Sequence, residues 1–303
     1  MSENQKNKRI LSQPNETMRL LFERSSCRSF LDKEIPGDVL DAVLAAGTHS
    51  ATAGNLQPYS IIKVEDYKNR QKMAEMCRQS FIGKAPVLLL FCLDFHRIER
   101  WAKLEIAPFT ATSSFRHFWV SLQDTIICAQ SICTAADSMQ LGSVYVGTVI
   151  DMPMKLRRLF KLPKGVFPVV LVCLGCPSSR PKVAGKLGQD VIVHSEYYHE
   201  LSDKQLLAVY EEKYKNVKLA ATQERFRTIL DVCRTVHGEE YAEKCAERIK
   251  RDGFINRAQH YFGIHYRADL MPEGNDQYLK IMEDSGFGWF KKYSPQIQLD
   301  KEK

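Results

Sequence analysis

The sequence predicts an α+β fold. Helical-periodic segments and short apolar runs follow one another without the regular strand–helix–strand alternation of a doubly wound sheet. One long stretch, 116–141, keeps apolar residues around much of a helical circumference and reads as a buried central helix. Another, Pro86 to Cys92, is short and continuously apolar, the pattern of a strand covered on both faces.

The first helix begins near Pro14 and Asn15, with Met18, Leu21 and Phe22 at helical spacing, and runs into Arg24-Ser25-Ser26-Cys27-Arg28-Ser29-Phe30. A second helix starts after Pro36-Gly37-Asp38, buries Val39, Leu40, Val43 and Leu44, and ends around Gly47. Ser50 to Pro58 holds small, turn-forming and amide residues and is a loop. Ser60 to Val64 is a strand, 66–79 a helix, and Pro86 to Cys92 the buried strand. Along the central helix Phe118, Leu122, Ile126, Ala129, Ile132, Cys133 and Ala136 recur, and Gly142 is its expected stop. Ser143 to Val149 and Phe167 to Cys173 are two more strands. After a loop from Pro177 to Asp190, residues 203–213, 219–236 and 239–251 form amphipathic helices. The tail beyond Phe262 is aromatic and irregular, then polar. The organisation expected is a flexible N-terminus (1–14), a main domain (15–200) and a helical C-terminal extension (201–303).

Composition narrows the function classes. The 303 residues are 44% hydrophobic and 26% charged, ordinary for a globular chain. No run reaches the roughly 18 apolar residues of a membrane span, and Met1 to Asn15 lacks the apolar core of a secretory signal. The net charge of +7 is dispersed, with no basic run interleaved with aromatics, which argues against nucleic acid and suits anionic small molecules. Nine cysteines, an odd number, point to reduced thiols in a cytoplasmic protein and not to a disulfide framework. The lone pair Cys173 and Cys176 lacks the second pair that a zinc or iron–sulfur site would want, and no metal set is assigned.

Four segments bear chemistry. Arg24, Ser25, Ser26 and Arg28 combine planar cationic forks with hydroxyls, the donors that converge on a phosphate. Cations favoured at a helix C-terminus are the other reading. In the loop, Asn55 and Gln57 lie two apart, so an extended backbone would point both amides one way, towards an edge of alternating donors and acceptors. Amides satisfying their own turn are the alternative. Gly142 to Gly147 lacks the spacing and following helix of a dinucleotide loop, but suits a strand whose backbone approaches a flat ligand at Gly147. Arg180, Lys182 and Lys186 offer a further phosphate partner or solvated charge. The His194/His199 and His260/His265 spacings exclude a helical zinc motif, and no nucleophile elbow or Walker loop is present. Asp124 and Gln130, on the central helix, read as buried structural hydrogen bonders.

Taken in order, these segments resemble the nitroreductase family of flavoproteins. Residues 24–30 resemble its R-x-S-x-R-x-F opening, and Ser50 to Pro58 its S-x-x-A-x-N-x-Q-P motif. Asp124 to Gly147 is similar to its long D-x-x-x-A-x-Q helix followed by a V-Y-x-G strand. Gln79 to Arg97, with Ala85 to Leu90 and Asp94, is closest to the larger NADPH-linked branch. The resemblance spans 15–200 and implies an α+β sandwich, a central mainly antiparallel sheet flanked by helices, in an intertwined homodimer with FMN at the interface. It implies that Arg24, Ser25, Ser26, Arg28 and Lys186 hold the phosphate and ribityl chain. Ser50, Asn55 and Gln57 would come from the partner, Gln79 would touch the pyrimidine side, and Val146 and Gly147 would lie near the ring's N5. It implies NAD(P)H as electron donor and ping-pong hydride transfer to nitroaromatic, quinone or similar acceptors, with no side-chain acid or base assigned. The same fold also serves dehalogenation, enoyl-type reduction, desaturation and non-catalytic flavin binding. Gly185-Lys186-Leu187-Gly188 departs from the arginine, leucine and proline that the family more often carries there, and Cys173 to Cys176 matches no family signature.

Overall fold

The sheet has four strands: β1 (Tyr59–Val64), β2 (Val87–Asp94), β3 (Gly142–Val146) and β4 (Val166–Gly175). They lie in the order β1-β2-β4-β3, and each neighbouring pair is antiparallel. This is a computed structural model, and the residues it describes are 15–294. The expected flexible N-terminus, 1–14, lies outside them.

Both central strands are buried along their whole length. On β2, Val87, Leu89, Phe91 and Leu93 enter one core cluster, while Leu88, Leu90 and Cys92 enter the other. Successive side chains point to opposite faces, so a strand covered on both sides shows no polar alternation. The ladder shifts where Phe91 pairs with Val170 and Cys92 with Pro168, so Val169 is the extra residue. Proline has no N–H for the ladder, and a bulge tolerates it.

Helices cover the two faces. In chain order the first unit holds α1 (Glu16–Glu23), α2 (Gly37–Thr48), α3 (Tyr67–Cys77), α4 (Phe81–Lys84), α5 (Phe95–Leu104), α6 (Phe115–Ser138) and α7 (Pro153–Phe160). Leu40 and Val43 of α2 and Cys128, Ala129, Ile132 and Ala136 of α6 pack on one face. Met73 and Cys77 of α3 and Leu156 of α7 pack on the other. Asn15, Asp66, Asp94 and Ser114 cap α1, α3, α5 and α6 by accepting a first-turn backbone N–H. A Cβ at Gly47 would stand 2.0 Å from Cγ1 of Ile132, so α2 approaches α6 as closely as glycine allows.

Two expected boundaries change. The central helix ends at Ser138 and turns through left-handed Gln140 (φ 62°), not at Gly142. Gly142 instead opens β3, where a Cβ would lie 2.7 Å from Cys27. The strand from Ser143 ends at Val146, because Gly147–Asp151 coils into a 3-10 turn.

The described residues form two compact units, one of residues 184–276 and one of residues 15–183 with 277–294. The second unit contains α8 (Gln189–Ile192), α9 (Asp203–Tyr214), α10 (Gln223–His237), α11 (Glu239–Asp252) and α12 (Arg257–His260), then a π-helical turn at Tyr261–His265. Its core is Ile229, Ile249 and Ile255. The two units divide at 183/184, and residues 277–294 belong to the first. The tail read as irregular contains α13 (Asn275–Asp284), and Met282 and Phe287 join the main core. The Phe287 ring meets Phe118 at 5.7 Å and Phe167 at 6.0 Å, edge to face.

Candidate functional site

The segment after α1 is held along the sheet by backbone hydrogen bonds. Cys27 N–H donates to Ser143 O at 2.9 Å, Leu31 N–H to Cys176 O at 2.9 Å, and Ser178 N–H to Ser29 O at 3.0 Å. Ser26 forms a parallel bridge with Ser143. An extended segment sends its side chains to different neighbours, and its two arginines diverge. The Arg24 guanidinium lies 5.7 Å over the Tyr145 ring, while that of Arg28 lies 6.0 Å over Phe81. Ser25 is buried and Arg28 exposed.

Neither arginine has a carboxylate partner among the described residues. Nε and Nη2 of Arg24 are buried without a hydrogen-bond partner among the described residues, as is Oγ of Ser143. Cationic donors withdrawn from water and left unpaired are costly unless something accepts from them.

Gln79 and the end of β3 meet directly. Gln79 Nε2 donates to Thr148 Oγ1 at 3.0 Å, so Gln79 is tied to the residue after Gly147. Phe81, beneath Arg28, is two residues from Gln79. Among the described residues nothing stands within 4 Å of where a Cβ at Gly147 would be, which leaves that backbone face open to them. Val146 beside it is buried. Gln79, Val146 and Gly147 thus meet at one end of β3, and Arg28 lies over Phe81, two residues from Gln79. Tyr145 and Thr148, which motif reading passed over, belong with them.

The loop from Ser50 to Pro58 differs from its expected shape. It is not extended: Ala53–Asn55 is a 3-10 turn, and Gly54, Asn55 and Gln57 all have left-handed φ (58°, 53° and 47°). Gln57 Nε2 donates to Thr48 O at 2.9 Å and Gln57 N–H to Thr52 Oγ1 at 3.1 Å, so its amide serves the local backbone and the two amides do not align. Left-handed glutamine is uncommon, and such strain concentrates at ligand sites. Ser50 Oγ is buried and unpartnered. No hydrogen bond among the described residues joins this loop to the Arg24–Arg28 segment.

Asp124 is structural, as its position suggested: both oxygens accept from Ala53 N–H at 3.2 Å. Burial raises its carboxyl above the ordinary 3.8, opposed by that hydrogen bond. The folded state therefore holds this proton more tightly than the unfolded chain, and stability falls as pH rises from about 3.8 through the raised value. Asp124→Asn, which keeps an acceptor for Ala53, is expected to remove that loss. Denaturation midpoints at acid and neutral pH check it, and an unchanged pH slope contradicts it. Gln130 is likewise occupied: it accepts from Tyr145 Oη at 3.3 Å and donates to Thr134.

The basic loop divides. Arg180 donates to the buried Asp137 at 2.9 Å and to Leu141 O at 2.8 Å, so it is spent on structure. Arg180→Ala would strand a buried carboxylate and is expected to cost about 3 kcal/mol. Urea unfolding measures it, and a loss below about 1 kcal/mol would remove the pairing as a stabilising contact. Lys182 and Lys186 are exposed, and Lys186 falls in the second unit. Cys173 belongs to one core cluster and Cys176 packs against the other, so this pair points to opposite faces of the sheet.

The sequence profile of the nitroreductase family matches residues 21–176. The chain belongs to the nitroreductase family. The oxygen-insensitive NADPH nitroreductase of Salmonella typhimurium is 31% identical over 198 residues, 65% of this chain and 80% of that protein. The FMN reductase (NAD(P)H) of Bacillus subtilis is 32% identical over 186 residues, 61% of this chain and 75% of its own length. The solved structure of nitroreductase A from Vibrio parahaemolyticus superposes with a TM-score of 0.70, covering 91% of this chain and 99% of that one, at 23% identity. At that identity the likeness is one of fold, and it agrees with the nitroreductase sandwich described above. No helix among the described residues is long and apolar enough to cross a membrane.

Proposed function

We propose that this nitroreductase-family chain is an FMN-dependent oxidoreductase that takes electrons from NAD(P)H and delivers them to nitroaromatic, quinone or similar acceptors. One observation carries the reading. Two guanidiniums without carboxylate partners among the described residues, four residues apart and flanking two serines, lie on a segment tied to the strand whose end gathers Gln79, Val146 and Gly147. The residues fit the cofactor, because the orphaned donors of Arg24 and Ser143 lack the acceptor that an anionic group brings.

In this reading Arg24, Ser25, Ser26 and Arg28 hold the phosphate and ribityl chain. Arg28 offers a planar fork from the exposed side and Arg24 a charge whose field is little screened by solvent. Gln79, steadied by Thr148, offers its amide to the pyrimidine side. Val146 and Gly147 line the ring's N5 side, where the absent side chain lets a flat molecule approach the backbone. When bound, FMN supplies hydride exchange between nicotinamide and acceptor in two alternating half-reactions. The chain contributes placement and charge, and no acid or base is assigned.

A second copy of the chain supplies Ser50, Asn55 and Gln57, and Lys186 adds a cation. Exposed apolar side chains support such a homodimer: Leu21 and Phe22 on α1, and Trp119, Ile126 and Ile127 on α6. The names of the relatives agree in kind, and one from Pseudomonas is a Cr(VI) reductase. The purified protein is expected to be yellow and to bleach when NADPH is added without oxygen. A colourless protein that takes up no added FMN would refute the flavin assignment. Steady-state rates with nitroaromatics, quinones and chromate then separate the acceptors.

A further inference from the structure

The second unit contains a two-sulfur feature that the flavin reading does not use. Helices α10 and α11 are joined by the single residue Gly238, whose φ of 89° lets the chain reverse there. Cys233 precedes this turn by five residues and Cys245 follows it by seven. Both line the same cavity, of about 520 Å³, with Ile229, Val232 and Phe262 on its wall. Gln259 donates its amide N–H to Cys245 Sγ at 3.8 Å, support of the kind that steadies a sulfur ligand.

We propose that Cys233 and Cys245 form a two-thiolate site for a soft, linear, two-coordinate divalent cation of the mercuric type. Thiolates select soft metals over hard ones. No group of three or more His, Cys, Asp or Glu side chains among the described residues can hold a metal, which leaves two-coordination as the geometry this site offers. Charge selects the valence. Lys244 and Arg248, also on the cavity wall, are already paired with Glu240 and Asp252. A doubly charged ion with two thiolates is neutral and enters an apolar cavity without an unpaired charge. The reaction is M²⁺ + 2 RSH → M(SR)₂ + 2 H⁺: two S–H bonds break, two M–S bonds form, and no electron changes hands. Thiols bind a metal as thiolates, so the protons leave on binding.

The test uses the full chain, reduced and freed of reductant, titrated with mercuric chloride. The first equivalent is expected to protect Cys233 and Cys245 together from alkylation, mapped by mass spectrometry, with release of both protons. Cys233→Ser and Cys245→Ser are each expected to lose more than about 100-fold in affinity, beyond the cost of losing an outer-shell partner. Cys176→Ser, at a half-buried thiol elsewhere, is expected to bind as the parent does. Protection of any other cysteine first, parental affinity in either single variant, or a Cys233–Cys245 disulfide in place of the adduct would overturn the proposal. If the variants do not fold, protection and proton release in the parent chain decide alone.

Discussion

Arg28→Ala is expected to yield a folded chain that binds FMN about 10- to 150-fold more weakly than the parent. The range follows from losing one charge-assisted hydrogen bond, about 1.5–3 kcal/mol. Folding is expected to survive, because Arg28 is exposed, has no ion-pair partner among the described residues, and lies over the face of Phe81. Arg28→Lys should fall between the two, since an ammonium keeps the charge and loses the planar fork. The double variant Arg24→Ala/Arg28→Ala should retain no FMN through gel filtration. The two arginines also differ in salt response. The contact of exposed Arg28 weakens as ionic strength rises, whereas that of half-buried Arg24 is shielded from it. Quenching of FMN fluorescence at low and high salt reads both effects. Unchanged affinity in Arg28→Ala removes that residue from the clamp. An unchanged Kd in the double variant removes the clamp itself.

What the sequence made legible was local. The run from Val87 to Asp94 announced a doubly covered strand because no polar residue interrupts it until the end. The basic and hydroxyl cluster at 24–28 offers the residue types an anion site needs, standing together, and it enters the proposed function on that ground. What stayed hidden was the direction in which each side chain turns. Arg24 and Arg28 look equivalent on paper, yet the bridge between Ser26 and Ser143 fixes the backbone between them and sends one to β3 and the other to α4. Asn55 and Gln57 looked like a matched pair of amides. The left-handed turn at Gly54 and Asn55 breaks the alternation that would have matched them. Arg180 looked like one of three interchangeable cations until Asp137, 43 residues earlier, claimed it. Each of these outcomes depends on a contact distant in sequence, which spacing alone does not report.

The return of residues 277–294 to the main core was equally hidden, and it carries the second large prediction. Phe287→Ala is expected to cost the first unit about 3–5 kcal/mol, the range for emptying a buried aromatic site. The ring is 1% exposed and packs against Phe95, Phe118 and Phe167, which belong to α5, α6 and β4. It therefore pins three elements of the sandwich from a position more than a hundred residues beyond the last strand. Gly286 before it has a φ of 93°, and its missing side chain leaves 3.0 Å to the backbone N of Gly165 where a Cβ would stand. The chain is thus held against the turn that enters β4, and the ring has little freedom to collapse into the gap its loss would leave. A poorly relaxing cavity puts the cost at the upper end of the range. The loss should appear in the denaturation midpoint of the unit that holds the sheet, and FMN should recover part of it by mass action if the cofactor binds only the folded state. A cost below about 1 kcal/mol would mean that residues 277–294 lie on the sandwich without supporting it.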